Sequence, residues 1–288
     1  MSEVVLHLLG TAQDGGVPHP NCSCENCQTA ISDPVYKRNA ASMAIVFPDI
    51  RKWHLIDATP DIKDQLLNVQ RKHNLHGVMM DSIFLTHAHM GHYPGLLFLG
   101  REGINTTKIP VYTGKKMKQL LEEHAPWSQL SKLENIKVLE VSSEDSISLS
   151  KLVSITPVEV PHRNEFTETF GYWIKGPTYK VLYIPDIDRW EEWNVDIYDA
   201  CQDADIIILD GTFHSEKDLN HISRNFHEIP HPLMTDTMDK LSGLVDKKRI
   251  YFTHMNHSNP ALSMDKIVAG EIEARGFRLA DDGMEFKL

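Results

Sequence analysis

The chain has 288 residues, 41% of them hydrophobic and 24% charged, which is enough apolar surface for a sizeable buried core. Lysine and arginine number 29 against 40 aspartates and glutamates, and the net charge of -11 opposes nonspecific binding to nucleic acid or to an anionic membrane, because both require a positive field. No apolar run reaches the length of a membrane span, and residues 1–10 lack the basic region of a secretory signal, so the expected compartment is the cytoplasm.

In chain order, residues 4–10 (VVLHLLG) predict a buried strand, followed by a polar loop rich in Gly, Pro, Asn and Cys to about Ala30. Residues 42–48 and 53–57 predict two further strands, and a helix is expected from Pro60 onward, with Ile62, Leu66 and Leu67 as its apolar positions. Residues 81–86 (DSIFLT) predict a strand that ends in a group of histidines, and a helix begins at Pro94. Strands are expected near 109–113, 136–141, 153–160, 169–175 and 179–185. Residues 205–210 (DIIILD) form a continuous apolar run with an acid at its end, which suits a central strand buried on both faces. Helices are expected over 232–244 and 261–275, with a strand at 249–254 between them. The alternation predicts a layered α/β fold, and the lack of a repeat or a Gly/Ser linker predicts a single domain over 1–288. The polar, histidine-bearing segment 212–232 has the composition of an active-site loop.

Sixteen histidines and four cysteines, three of them within six residues, point to metal. After strand 81–86 the chain reads Thr86-His87-Ala88-His89-Met90-Gly91-His92. His87 and His89 project to one side of extended backbone, and the spacing from His89 to His92 suits a turn opening a helix. Three imidazoles at a strand end are a compact set of nitrogen ligands for zinc, iron and related ions.

This pattern resembles the metallo-β-lactamase superfamily, whose motif is His-x-His-x-Asp-His at the end of a strand. The resemblance implies an αβ/βα four-layer sandwich. It also implies that His87, His89, His92, His162 in VEVPH, Asp186 in VLYIPD and His254 in IYFTH are active-site metal ligands, with Asp186 bridging two ions. Each of the last three also ends an apolar strand on the pattern alone. Asp57, ending WHLID, resembles the family's acid that orients the histidine loop, although a turn acid is an equal reading of the residue type. One position departs from the motif: Gly91 stands where the family has aspartate. Glycine offers no side-chain ligand, so a second site of His92, His254 and Asp186 is expected to be weak or empty.

Cys22, Cys24 and Cys27 pack three thiols into one loop, and a tetrahedral zinc needs a fourth donor. His257, three residues after His254, suits that role better than Cys201, which ends an apolar helix-like segment. A superfamily subgroup acting on cyclic phosphodiesters in phosphonate catabolism has the same cysteine loop and C-terminal His-x-x-His, which implies a structural Zn2+ on Cys22, Cys24, Cys27 and His257. The stretches LGTAQDGGVPHPNCSCENC, IDATPDIKDQL, ILDGTF, MNHSNPAL and DDGMEF resemble the pyrroloquinoline quinone biosynthesis protein B (PqqB) family.

DGTFH places Asp210, Thr212 and His214 near the ligand-bearing edge. The following loop adds His221, His227 and His231, of which His231, restrained between Pro230 and Pro232, is the best single candidate for a ligand or proton donor. The reading reached is a metallo-hydrolase in which metal-activated water attacks a phosphodiester or ester-type small molecule. It carries Zn2+, Fe2+ or Mn2+, one or two ions, at the active site, and Asp186, His231 and His214 are its catalytic residues. The alternative is an iron-dependent oxidative step in biosynthesis of a pyrroloquinoline quinone-type cofactor. A noncatalytic carrier is a third reading, supported by Gly91 and opposed by the retained ligands. A small-molecule substrate is the expected partner, nucleic acid and membrane are not, and a homodimer is possible on this reading.

Overall fold

In the computed structural model, which describes residues 3–219 and 230–288, the strands of those residues form two seven-stranded sheets. The first contains β1 (Val5–Gly10), β2 (Ser42–Phe47), β3 (Lys52–Ile56), β4 (Ser82–Phe84), β5 (Ile109–Thr113) and β6 (Ile136–Glu140) in that order. The second contains β7 (Ile147–Ser148), β8 (Ser154–Val160), β9 (Thr169–Lys175), β10 (Lys180–Ile184), β11 (Ile206–Asp210), β12 (Arg249–Thr253) and β13 (Arg278–Leu279). The last strand, β14 (Glu285–Lys287), returns to the first sheet and pairs antiparallel with β1. The helices are α1 (Glu25–Ser32), α2 (Ile62–Lys72), α3 (Lys115–Glu123), α4 (Trp127–Lys132), α5 (Ile197–Gln202), α6 (Glu216–Leu219), α7 (Met234–Leu241) and α8 (Ile267–Ala274).

Strand alternation sends successive side chains to opposite faces, and three apolar layers result. Leu6, Leu8, Met43 and Ile45 of the first sheet meet Ile155, Tyr172, Val181 and Ile208 of the second. On the outer face of the first sheet, Ala44, Leu55 and Ile83 pack with Ile62, Leu66 and Val69 of α2 and Met117 and Leu121 of α3. On the outer face of the second, Leu182, Ile207 and Phe252 pack with Ala200 of α5, Met234 and Met238 of α7 and Ile272 of α8. The order helix, sheet, sheet, helix is the expected four-layer sandwich. Residues 206–210 are buried throughout and lie parallel to neighbours on both sides, as the apolar run requires. No described helix is long and apolar enough to cross a membrane.

Strand direction decides where the site lies. β3 to β6 run parallel, and β1 runs the same way as β3 because each is antiparallel to β2. In the second sheet β10 to β13 are parallel, and β8 shares their direction through two antiparallel pairings. The carboxyl ends of these strands therefore gather along one edge of each sheet, where open sheets place ligands. The two edges are tied together: the Tyr172 hydroxyl donates to the Leu85 carbonyl at 2.6 Å, and Phe170 N–H to the Thr86 carbonyl at 3.0 Å.

Several local readings change, among them the helix expected over 261–275, which begins only at Ile267. Glu25–Ser32 is a helix rather than loop, and it carries Cys27 inward together with Ala30. Residues 94–99 form only a 3-10 turn, because Pro94 has no N–H and Gly95 donates instead to the Ala58 carbonyl at 2.9 Å. Between β5 and β6 the chain forms α3 and α4, short helices interrupted at Pro126, which the sequence pattern did not mark.

Candidate metal centre

Four strands of the two sheets deliver the expected donors to one place. His87 follows β4, His162 follows β8, Asp186 follows β10 and His254 follows β12. All four are almost fully buried, and the side chain of His89 is 11% exposed. Nε2 of His87 and Nε2 of His162 lie 2.8 and 3.0 Å from Nδ1 of His89. Oδ2 of Asp186 lies 3.3 Å from His87 Nε2 and 3.1 Å from His162 Nε2. A tetrahedral ion with metal–nitrogen bonds of about 2.0–2.1 Å has donors about 3.3 Å apart, so these four atoms have the spacing of a coordination shell.

The same Asp186 oxygen faces a second pair, lying 3.7 Å from Nε2 of His92 and 3.7 Å from Nε2 of His254. Both of those nitrogens are buried without a hydrogen-bond partner among the described residues. A buried, unsatisfied acceptor costs about 1–3 kcal/mol, and a cation would satisfy both at once. The donors present thus fit divalent ions on either side of one carboxylate.

The outer ring nitrogens are held by the protein, which settles which nitrogen points inward. His92 Nδ1–H donates to Asp57 Oδ2 at 2.7 Å, and His162 Nδ1–H donates to Asp188 Oδ1 at 2.7 Å. Nδ1 of His87 meets the Thr86 hydroxyl at 3.0 Å, and Nδ1 of His254 meets the Thr212 hydroxyl at 3.0 Å. Asp57 is fully buried and also accepts from Thr86 N–H at 2.8 Å and from the Thr86 hydroxyl at 2.9 Å. Asp57 and His254 both adopt left-handed backbone, with φ of 63° and 58°, a region that Asp, Asn and His tolerate better than most residues.

Electrostatics favour ligation. Burial pushes the His89 imidazole down to about 4 and depresses His87 and His254 as well, so all three offer lone pairs at neutral pH. Burial opposes the charge on Asp186, but His162, His254 and His231 around it outweigh burial and hold its carboxyl well below the usual range. Burial likewise opposes a proton on His162, yet the Asp186 and Asp188 carboxylates raise it to about 10, so an arriving cation has a proton to displace there.

His231 is buried beside the donors, its Nδ1 2.8 Å from Asp210 Oδ2 and 3.3 Å from Asp186 Oδ1. Asp210 is itself fixed by Ile187 N–H at 3.2 Å and Thr212 N–H at 2.8 Å. His214 is half-buried, its carbonyl accepting Thr235 N–H at 3.1 Å, and it belongs to none of the donor clusters found among the described residues. His221 and His227 lie outside the described residues. At Gly91 the space left by the absent side chain is filled: a Cβ there would stand 2.5 Å from Oδ1 of Asp14, which accepts the Gly91 N–H at 3.0 Å.

The thiols form a separate cluster. Sγ atoms of Cys22, Cys24 and Cys27 lie 3.3, 3.5 and 3.7 Å from Nδ1 of His257. A tetrahedral zinc with Zn–S of about 2.3 Å and Zn–N of about 2.0–2.1 Å places S and N about 3.5 Å apart. Burial pushes the Cys27 thiol up to about 12, so it carries its proton unless a cation displaces it. Cys201 is buried in the outer core layer with α5 and α7, away from this cluster.

Several contributors escape the sequence pattern. Asp188 and Thr86 act on candidate donors through hydrogen bonds, and for these two and for Thr212, expected near this edge, only the folded chain shows which ring nitrogen each one meets. Glu165 reaches Nε2 of His89 at 3.2 Å from an exposed turn. Asp14 arrives from the loop after β1, whose direction is legible only from the sheet topology.

Comparisons with known proteins agree with this fold. A family model described as "Beta-lactamase superfamily domain" matches residues 52–255. Coenzyme PQQ synthesis protein B of Methylorubrum extorquens (strain PA1) is 26% identical over 303 residues, covering 98% of this chain and 99% of the relative. The protein of the same name from Methylococcus capsulatus is 26% identical over 311 residues, covering 99% and 100%. Among solved structures, Zn2+-bound PqqB from Methylobacterium extorquens superposes with a TM-score of 0.83 at 25% identity, covering 99% of this chain and 100% of that one. A diphosphatase of the PhnP family shares the fold, with a TM-score of 0.72 at 24% identity over 99% and 97% of the two chains.

Proposed function

We propose that this chain, which belongs to the beta-lactamase superfamily, is a metal-dependent hydrolase acting on a phosphodiester or ester-type small molecule. The observation that carries the reading is the placement of Asp186 Oδ2 within 3.1–3.7 Å of Nε2 of His162, His87, His92 and His254, a carboxylate able to bridge two sets of nitrogen donors. The reading rests on this site rather than on the fold, because one fold hosts many activities. In it, His87, His89, His162 and Asp186 hold a first ion, and Asp186, His92 and His254 contribute to a second. Cys22, Cys24, Cys27 and His257 hold a structural zinc. Divalent ions held there would supply Lewis acidity and would lower the pKa of water, to about 7 where the ion is zinc.

The protein's own groups do the rest. Asp57, Thr86, Asp188 and Thr212 fix the imidazoles, so that no reorientation is needed when charge develops. His231 keeps its Nδ1–H on Asp210, and in this reading the proton on its Nε2 is the one given to the leaving oxygen. Burial opposes charge on His231, but the Asp210 and Asp186 carboxylates outweigh it and raise its pKa, which suits a group that must hold a proton. Substrate enters beside Glu165 and Phe166, which are exposed next to His89. His214, on the same loop as His231, is a candidate substrate contact with no step assigned to it.

A second reading is favoured by one finding, the full-length similarity to coenzyme PQQ synthesis protein B: an iron-dependent oxidative step on a cofactor precursor. Purified protein supplied with Zn2+ or Mn2+ is expected to cleave bis(p-nitrophenyl) phosphate or a small cyclic phosphodiester. His89→Ala is expected to lose that turnover with an unchanged circular dichroism spectrum. Absence of hydrolysis, together with Fe2+-dependent oxygen uptake on a catechol-type amino acid, overturns the hydrolase in favour of the second reading.

A further inference from the structure

We infer that Asp14 supplies the carboxylate that the His-x-His-x-Gly-His stretch lacks, so that the second metal position is complete; the inference rests on the two-ion reading above. Three observations converge on it. One carboxylate oxygen of Asp14 and one ring nitrogen each of His92 and His254 lie within 4.8 Å of one another. In both rings Nδ1 is engaged, by Asp57 and by Thr212, so the nitrogens left to coordinate are the two Nε2 atoms that are buried and unpartnered. An oxygen donor brought to that pair adds a ligand to two imidazoles and one shared carboxylate oxygen.

The second observation is steric. An ideal Cβ on Gly91 would stand 2.5 Å from Asp14 Oδ1 and 2.7 Å from Asp14 Cα. Asp14 therefore fills, with backbone as well as side chain, the volume that a residue at 91 would need. The two positions are alternatives: the carboxylate comes either from the histidine loop or from the loop after β1, and never from both. Gly91 is thus required by Asp14, not a sign of a decayed site.

The third observation is that Asp14 is held. Gln13 N–H donates to the Met255 carbonyl at 2.9 Å, and the Gln13 side chain accepts from Asn256 Nδ2 at 2.7 Å. The two residues that follow His254 and the residue before Asp14 are therefore stitched together. The Gly91 N–H aims the carboxylate from the other side at 3.0 Å. Such a fixed oxygen is what a ligand requires and a solvated loop acid does not have.

The test is Zn2+ uptake, followed by calorimetry and elemental analysis on protein that keeps its cysteine-bound ion. Asp14→Asn retains an acceptor for the Gly91 N–H and is expected to fold with a near-normal melting temperature. Its affinity for the second active-site ion should fall at least about tenfold, while the first ion and the cysteine-bound ion stay. Gly91→Asp alone should not raise second-ion affinity and should lower the melting temperature, because the new side chain meets Asp14. If wild type takes up two active-site ions and Asp14→Asn does so with unchanged affinity, the assignment of Asp14 is overturned and the two-ion reading stands. If wild type takes up only one active-site ion, the two-ion reading is overturned, and the assignment falls with it.

Discussion

Replacing Asp57 by asparagine changes one oxygen for an NH2 group at a fully buried position, and asparagine accepts the φ of 63° found there. Oδ1 takes the Thr86 N–H at 2.8 Å, while Oδ2 takes His92 Nδ1–H at 2.7 Å and the Thr86 hydroxyl at 2.9 Å. The backbone N–H of Thr86 can only donate, so the amide oxygen of the variant must face it. That leaves NH2 against Nδ1 of His92, which must then present a lone pair and carry its proton on Nε2. The proton occupies the nitrogen that faces Asp186 and the second metal position. Hydrogen bonds to a charged acceptor contribute about 1.5–3 kcal/mol and neutral ones about 0.5–1.5, so the fold itself should lose about 1–2 kcal/mol. Loss of such an orienting partner lowers metal affinity about 10–100-fold, or roughly 1.4–2.7 kcal/mol. Calorimetric titration with Zn2+ reads the affinity, and the ring-nitrogen chemical shifts of His92 read the tautomer. An unchanged second-ion affinity, with the His92 proton still on Nδ1, refutes the reasoning.

Two further outcomes are expected. Cys24→Ser should release about one zinc per chain and lower the melting temperature, since bound metal contributes to folding free energy; zinc content and melting temperature both equal to wild type would show that the thiols hold no ion. Asp282 is half-buried where it accepts from Thr11 Oγ1 and Asn39 N–H, each at 2.7 Å, and desolvation of its carboxyl pushes it up to about 7. The folded chain then binds this proton more tightly than the unfolded chain, so the group's contribution to stability is complete below about pH 4 and is lost as pH rises through about 7, by at most about 1.4 kcal/mol per pH unit. Asp282→Asn should remove that component, making the change in melting temperature between pH 4 and 7 more positive than in wild type, and an identical profile would exclude it.

What could be read directly from the chain were the places where a strong apolar run ends in a candidate donor. DIIILD, IYFTH and VLYIPD announce buried parallel strands through continuous β-branched and aromatic residues, and parallel strands put their carboxyl ends on one edge. The cysteine spacing was legible for the same local reason, since ligands within six residues need no tertiary knowledge. Helix α1 was not legible, because only Cys27 and Ala30 are buried along it and its remaining residues look like loop. Asp14 and Asp188 were not legible either. Each is an ordinary loop acid by composition, and its role appears only when strands far apart in sequence bring it to its partner, over 77 positions to Gly91 in one case and 26 to His162 in the other.

The turn His254-Met255-Asn256-His257 gives its first residue to one donor cluster and its last to another. A peptide leaving the ribosome exposes the thiols of residues 22–27 and the imidazoles of residues 87–92 long before residue 254 is made. Until then neither cluster has its full complement, and three free thiols are open to whichever soft ion arrives first. Pairing of β14 with β1 joins the two termini in the finished molecule. Completion of either donor set is consequently a late event in synthesis, and a truncation that removes the last 40 or so residues leaves a chain with partial donor sets of each kind and no closed one.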